Sequence, residues 1–167
     1  MDKLEELMKL TPLILKEIYS ALSVCEPFTR WKLPLPDEIE FQVINDIEVM
    51  GTYMYDEGGD YAHTIQISAA RCGFLDTVIR TMSHEMIHAS RHDTVTDAWY
   101  KHDATFRRRA HRVGKELGID QIAQQAGFFK MLPELPNAHN LIKGALKLAG
   151  NYSILSSPLM SNVEESS

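Results

Sequence analysis

Two histidines and a glutamate stand close together in the middle of this 167-residue chain. Residues 84–88 read His-Glu-Met-Ile-His, so His84 and His88 are four residues apart and Glu85 lies between them. On a helix, residues four apart lie on one face, and both imidazoles can therefore bind one metal ion. Glu85 could then reach a water bound to the same ion. This pattern is typical of zinc peptidases, in which two histidines bind zinc and the glutamate acts as a base.

The residues around this pattern predict the required helix. Residues 74–91 contain neither Gly nor Pro, and apolar residues recur there at steps of three or four, which is the helical period. They are Leu75, Ile79, Met82 and Met86. An alternative interpretation is that His84 and His88 are ordinary polar residues on a half-exposed helix. A third ligand at a suitable place would favour the metal site.

Two later histidines are candidates for that third ligand. His92 lies about 12 Å beyond His84 along a continuous helix, whereas zinc–nitrogen bonds are about 2.1 Å long. It could bind only if the helix broke directly after His88, and no Gly follows there. His102 leaves room for a helix end, a loop and a second helix, whose apolar stripe runs over residues 106–117. A histidine on such a stripe can also be a core residue, but here we expect it to complete the site.

The two histidine elements resemble those of a known family. Residues 84–89, followed by His-Asp-Ala-Thr-Phe at residues 102–106, look like the SprT-like metallopeptidases, which include the Spartan proteases. Members carry a third zinc histidine in a short H-x-x-x-F element. Residues 65–68 also look like the family's edge strand before the active-site helix. The resemblance covers residues 13–117. Many relatives have Gly where this chain has Asp103, and bacterial members often carry a C-terminal zinc ribbon that is absent here.

The resemblance implies an α+β, zincin-like domain of the minigluzincin type, with a small mixed sheet packed on the HExxH helix and further helices. It implies one zinc ion per chain, bound by His84, His88 and His102. Zinc bound by three histidines keeps a position for a water, lowers the pKa of that water and polarises the scissile carbonyl. Glu85 would take the proton of the water and pass it to the leaving amine.

The substrate side of the site is less defined. In this fold the strand beside the active-site helix commonly binds the substrate backbone as an added strand. Tyr53, Tyr55 and His63 lie near that strand, or are ordinary strand residues. An oxyanion stabiliser is expected, and Tyr100 and His92 are the candidates. Two other classes stay open: a zinc-binding adaptor or inhibitor, and a zinc hydrolase that acts on a small amide.

Basic residues cluster on the predicted helix that follows His102. The formal net charge of −6 argues against a generally basic nucleic-acid-binding protein. Between residues 101 and 115, however, six basic residues are opposed only by Asp103. The apolar stripe would leave Arg107, Arg108 and Arg112 on the outer side, where they could contact a DNA backbone. The resemblance adds that Spartan relatives cut proteins crosslinked to DNA. The alternative is a solvated helix face that pairs with acids elsewhere.

Length and composition predict one domain, residues 1–149, followed by a mobile tail, residues 150–167. Helices are predicted over residues 3–10, 122–129 and 138–148, and over residues 13–24 with Thr11 as the cap and Pro12 at the first position. Strands are predicted over residues 41–45, 49–55 and 61–68.

Other features restrict the class of protein. No apolar run approaches the roughly 20 residues of a membrane helix. The N-terminus is unlike a signal peptide, so a cytoplasmic location is expected. Cys25 and Cys72 are predicted to be buried and unpaired. Trp31 is expected to cover the edge of the core, with a substrate groove as the alternative.

Overall fold

The structure is a computed structural model that describes residues 9–92 and 99–119. Over these ranges the chain is a mixed α/β protein with three helices and a three-stranded sheet. In chain order the elements are α1 (Pro12–Ser23), 3₁₀ turns at Phe28–Arg30 and Pro36–Glu38, β1 (Ile39–Ile44), β2 (Gly51–Tyr55), β3 (His63–Ser68), α2 (Leu75–Ala89) and α3 (Ala104–Leu117).

Helix α1 begins as the sequence predicts. The Thr11 side chain accepts a hydrogen bond from the Ile14 N–H at 3.3 Å, and Pro12 occupies the first turn, where its missing N–H costs nothing. The buried side of α1 packs on β1 and α2. Trp31 packs against the core beside Phe28, with ring centroids 5.6 Å apart, as expected for a residue that covers the core edge.

The sheet has the order β1-β3-β2, with β1 parallel and β2 antiparallel to β3. The central strand places Ile65 opposite both Phe41 and Tyr53. The expectation that residues 65–68 form an edge strand is therefore wrong, because β3 is paired on both sides. Among the described strands, the edge that lies against α2 is β2.

Helix α2 is the central element, in contact with α1, α3, β2 and β3. Its apolar stripe is buried as predicted, but so is nearly every polar residue on it. The alternative that His84 and His88 are ordinary polar residues on a half-exposed helix does not hold, since they are only 9% and 6% exposed. Buried polar groups are costly unless they find partners, so the polar side of α2 requires a further explanation.

Helix α3 has defined ends. The Asp103 carboxylate accepts the Phe106 N–H at 2.9 Å and caps the first turn. Gly118 ends the helix with φ of 69°, a conformation that favours glycine, and the Ile119 N–H donates to the Gly114 carbonyl at 2.8 Å. The predicted inward stripe is buried throughout: Phe106, Ala110, Val113 and Leu117.

Several expectations lie outside the described residues. These are the helices predicted over residues 122–129 and 138–148, the tail from residue 150, and the helix predicted over residues 3–10 apart from residues 9 and 10, which are not helical. Within the described ranges, Cys72 is buried and Cys25 is half-buried, and neither forms a disulfide. No helix in the part of the chain that the structure describes is long and apolar enough to cross a membrane.

Candidate metal centre

Three imidazole rings converge between α2 and the start of α3. His84 and His88 stand one turn apart on α2, and their Nε2 atoms are 3.3 Å from each other. His102 directly precedes the Asp103 cap of α3, and its Nε2 atom lies 3.0 Å from the Nε2 atom of each of the other two. The structure therefore brings together the three residues that the sequence predicts as ligands.

The three nitrogens fit a bound cation. Nitrogens placed about 2.1 Å from one tetrahedral ion lie about 3.4 Å from one another, close to the observed 3.0 to 3.3 Å. Hydrogen bonding alone cannot account for this triangle. Each Nε2 is either a donor or an acceptor, so among three mutual contacts at least one must join two donors or two acceptors. A cation that accepts all three lone pairs removes this conflict.

A neighbouring carbonyl fixes the ring of His88. Its Nδ1–H donates to the Trp99 carbonyl at 2.5 Å, which leaves the Nε2 lone pair free for a metal ion. Burial and, to a smaller extent, the nearby His84 lower the pKa of His88 to about 3. Burial also lowers the pKa of His102. Neutral rings are the form that binds metal.

Phe106 is the common packing partner of the ligands. Its fully buried ring lies 4.9 Å from that of His84, 4.5 Å from that of His88 and 4.4 Å from that of His102, measured between centroids. Because Phe106 is on the first turn of α3, the contacts that pack this helix on α2 also bring the three ligand rings together.

Glu85 lies beside the ligands in the same cavity. This cavity has a volume of about 260 Å³ and is bordered by β2, α2 and the segment that leads to α3. Burial raises the pKa of the Glu85 carboxyl to about 8, against the opposing effect of the Tyr53 backbone N–H, which is directed at the carboxylate. A cation at the three histidines would favour the ionised carboxylate further.

The two candidate oxyanion stabilisers lie in different places. Tyr100 is exposed and lines the cavity. His92 is turned toward the sheet instead: its Nδ1–H donates to the Ala89 carbonyl at 2.7 Å, and its ring is 4.7 Å from that of His63 and 5.6 Å from that of Tyr55. Helix α2 continues past His88 to Ala89. His92 therefore does not join the three ligands, as the sequence predicts.

The structure shows that Gly51 is part of the site, which the sequence analysis missed. A Cβ atom on this first residue of β2 would lie 2.6 Å from the Thr81 Cγ2 atom and 3.1 Å from Glu85 Oε1. Only glycine lets β2 approach α2 this closely. A single glycine at a strand end has no distinctive local pattern, so the sequence alone could not reveal this contact.

The predicted outward arginines are exposed. The Arg107 guanidinium lies 3.4 Å from the His102 carbonyl, and Arg108 donates to the Thr105 hydroxyl at 3.1 Å. Arg112 is paired with Glu116 at 3.1 Å. This cationic ridge, residues 107, 108 and 112, therefore starts beside a predicted ligand, and one of its charges is partly compensated.

No protein-family model matches this chain, and neither a curated protein nor a solved structure matches it. Arguments about function therefore depend on the residues and their geometry.

We expect each of the three histidines to be needed for metal binding. His84→Ala, His88→Ala and His102→Ala should each reduce bound zinc from about one ion per chain to near zero, since two imidazoles alone bind weakly. The matched control is His92→Ala, which should keep the ion. Metal content after dialysis, measured by mass spectrometry, checks this. Zinc lost from the His92 variant but kept by the His102 variant would contradict the assignment.

Gly51→Ala should destabilise the protein by about 1 to 3 kcal/mol, because the added methyl group overlaps the Thr81 side chain and lies 3.1 Å from the Gln66 carbonyl oxygen. Urea unfolding measures this. The control is Gly58→Ala, where the new Cβ would meet only Asp56 Oδ1 at 3.5 Å. Adding Thr81→Ser, which removes the overlapping methyl group, should restore part of the loss. An unchanged unfolding midpoint in the single variant would refute the close approach.

Proposed function

We propose that this protein is a zinc-dependent endopeptidase with a zincin-like fold of the SprT-like kind. The observation that carries the proposal is a buried carboxylate, Glu85, that shares one cavity with three converging imidazoles. His84, His88 and His102 would hold the ion, and Glu85 is the base.

A zinc ion held by the three histidines would supply a Lewis acid that activates a water and polarises the scissile carbonyl. The carboxylate of Glu85 takes the proton of the attacking water and delivers it to the leaving amine. Because Glu85 is buried, bulk water is kept away from its carboxylate while it transfers the proton. The Tyr53 N–H directed at the carboxylate helps to hold its orientation. Tyr100, which lines the cavity, is better placed than His92 to stabilise an oxyanion.

A polypeptide substrate suits the cavity better than a small amide. Gly51, Thr52 and Tyr53 line it, and within the described sheet these residues of β2 pair on one side only, with β3. An extended peptide can add to such a strand through main-chain hydrogen bonds. The remaining wall is largely apolar and includes Val49, Met50 and the ring of Trp99. We therefore expect apolar substrate side chains near the cleaved bond.

The proposal predicts that Glu85→Gln keeps zinc and fold but loses at least about 100-fold of peptidase activity, which is the scale of general base catalysis. Glutamine has nearly the same shape and can still accept the Tyr53 N–H, but it cannot take a proton. The measurements are zinc content, circular dichroism and cleavage of an unfolded protein such as casein. Turnover equal to that of the unchanged protein would remove Glu85 from this role, whereas no turnover by the zinc-loaded unchanged protein would favour a zinc-binding adaptor or inhibitor.

We further propose that the substrates are proteins bound to DNA. The support is the cationic ridge, whose Arg107 guanidinium contacts the backbone of His102. A phosphate backbone on the ridge would bring an attached protein close to the cavity. The Arg112–Glu116 pair supports the alternative of a solvated helix face, so the proposal needs a direct test.

Replacing Arg108 and Arg112 by Ala should weaken DNA binding and reduce the slope of log affinity against log salt by about two, about one for each lost phosphate contact. Fluorescence anisotropy with single- and double-stranded DNA over a salt series measures the slope. The control variant replaces Lys16 and Arg71, which lie on other parts of the chain. If the same protein were cleaved equally fast when it is bound to DNA and when it is free, this proposal would be contradicted. The proposal of a zinc peptidase would not be affected.

A further inference from the structure

A buried arginine at the end of α2 contacts both neighbours of His102. Arg91 lies one turn beyond His88, and its side chain is 3% exposed. Nη1 donates to the Lys101 carbonyl at 2.7 Å, and Nη2 pairs with Asp103 Oδ2 at 2.6 Å. One rigid guanidinium, just beyond the end of the helix that carries two ligands, therefore binds the chain on either side of the third.

The Asp103 carboxylate uses its two oxygens for different partners. Oδ2 accepts from Arg91, while Oδ1 accepts the Phe106 N–H at the start of α3. Phe106 in turn packs against all three ligand rings. The carboxylate thus connects the end of α2 with the first turn of α3, and His102 lies between these two anchor points.

We propose that Arg91 and Asp103 are positioning residues that hold His102 against His84 and His88 before a metal ion binds. The covalent chain alone does not fix His102, because thirteen residues separate it from His88 and closing such a segment costs conformational entropy. The clamp, by which we mean the contacts of Arg91 with Lys101 and Asp103, lowers this entropic cost in the metal-free protein. The inference rests on metal binding at the three histidines, as in the proposed function, but not on proteolysis.

The direction in which zinc affinity changes when Arg91 is replaced distinguishes a positioning role from a purely electrostatic one. Arg91 carries a positive charge near the site, so its removal should strengthen the binding of a cation if charge alone mattered. Positioning predicts the opposite. Residues that orient metal ligands typically contribute a factor of about 10 to 100 in metal affinity.

The test measures zinc affinity by chelator competition for Arg91→Met and Asp103→Asn. Methionine keeps the buried aliphatic volume, and asparagine keeps the capping oxygen for the Phe106 N–H while it removes the charge. Both variants should bind zinc roughly 10- to 100-fold more weakly. The control is Arg30→Met, which removes an exposed ion pair with Glu26 of 2.6 Å and should leave the affinity unchanged. Cobalt(II) absorption should show a loss of the tetrahedral signature only in the clamp variants.

A second background shows whether the clamp acts through His102. When His102 is already Ala, Arg91→Met should change the remaining zinc affinity by less than about twofold. An equal loss in both backgrounds would show general destabilisation and overturn the inference, as would unchanged affinity in both single variants. If Arg91→Met fails to fold, Asp103→Asn in the same two backgrounds decides the question. An unchanged chain that binds no zinc would overturn the proposed function together with the clamp.

Discussion

The convergence of three Nε2 atoms is the constraint on which the rest of this structure depends. Their mutual distances of 3.0 to 3.3 Å cannot all be hydrogen bonds between neutral rings. Without a cation, at least one pair places like groups in contact, which opposes the packing of α3 on α2. With a cation bound, the same packing would allow three metal–nitrogen bonds, one to each Nε2 atom. Metal binding and the association of these two helices should therefore be thermodynamically linked, so that the ion stabilises the fold.

The residues of the site make the burial of helix α2 less favourable in free energy. A central helix would be most stable with apolar residues on every side, yet α2 buries four ionisable residues next to its apolar stripe: Arg80, His84, Glu85 and His88. Burial alone makes the charged form of each unfavourable. A glutamine in place of Glu85 could accept the same Tyr53 N–H without that cost. Deviations of this kind from the best core are expected at functional sites, and they favour a catalytic role over a purely binding one.

The sequence predicts those parts of the structure that depend on local periodicity. The stripes of α2 and α3 and the cap at Thr11 are as expected, and the reach argument that selects His102 over His92 needs only the helical rise. Strand order is different, because an alternating pattern does not say which strand is central, and the expectation that residues 65–68 form an edge strand is wrong. Gly51 and the Arg91 clamp join residues distant in sequence, and no local pattern marks such contacts.

Asp103, at a position where many of the SprT-like proteins that the sequence resembles have Gly, has a physical role in this structure. Glycine before α3 would leave the first helical N–H groups without a side-chain acceptor and would leave Arg91 without its carboxylate. A buried guanidinium that loses its partner is destabilising, although the 39% exposure of the Asp103 side chain makes this cost smaller than for a fully buried pair. Arg91 and Asp103 therefore depend on each other, and neither should be replaceable alone. Their joint presence fixes His102 by side-chain contacts, where a glycine could only permit the required backbone.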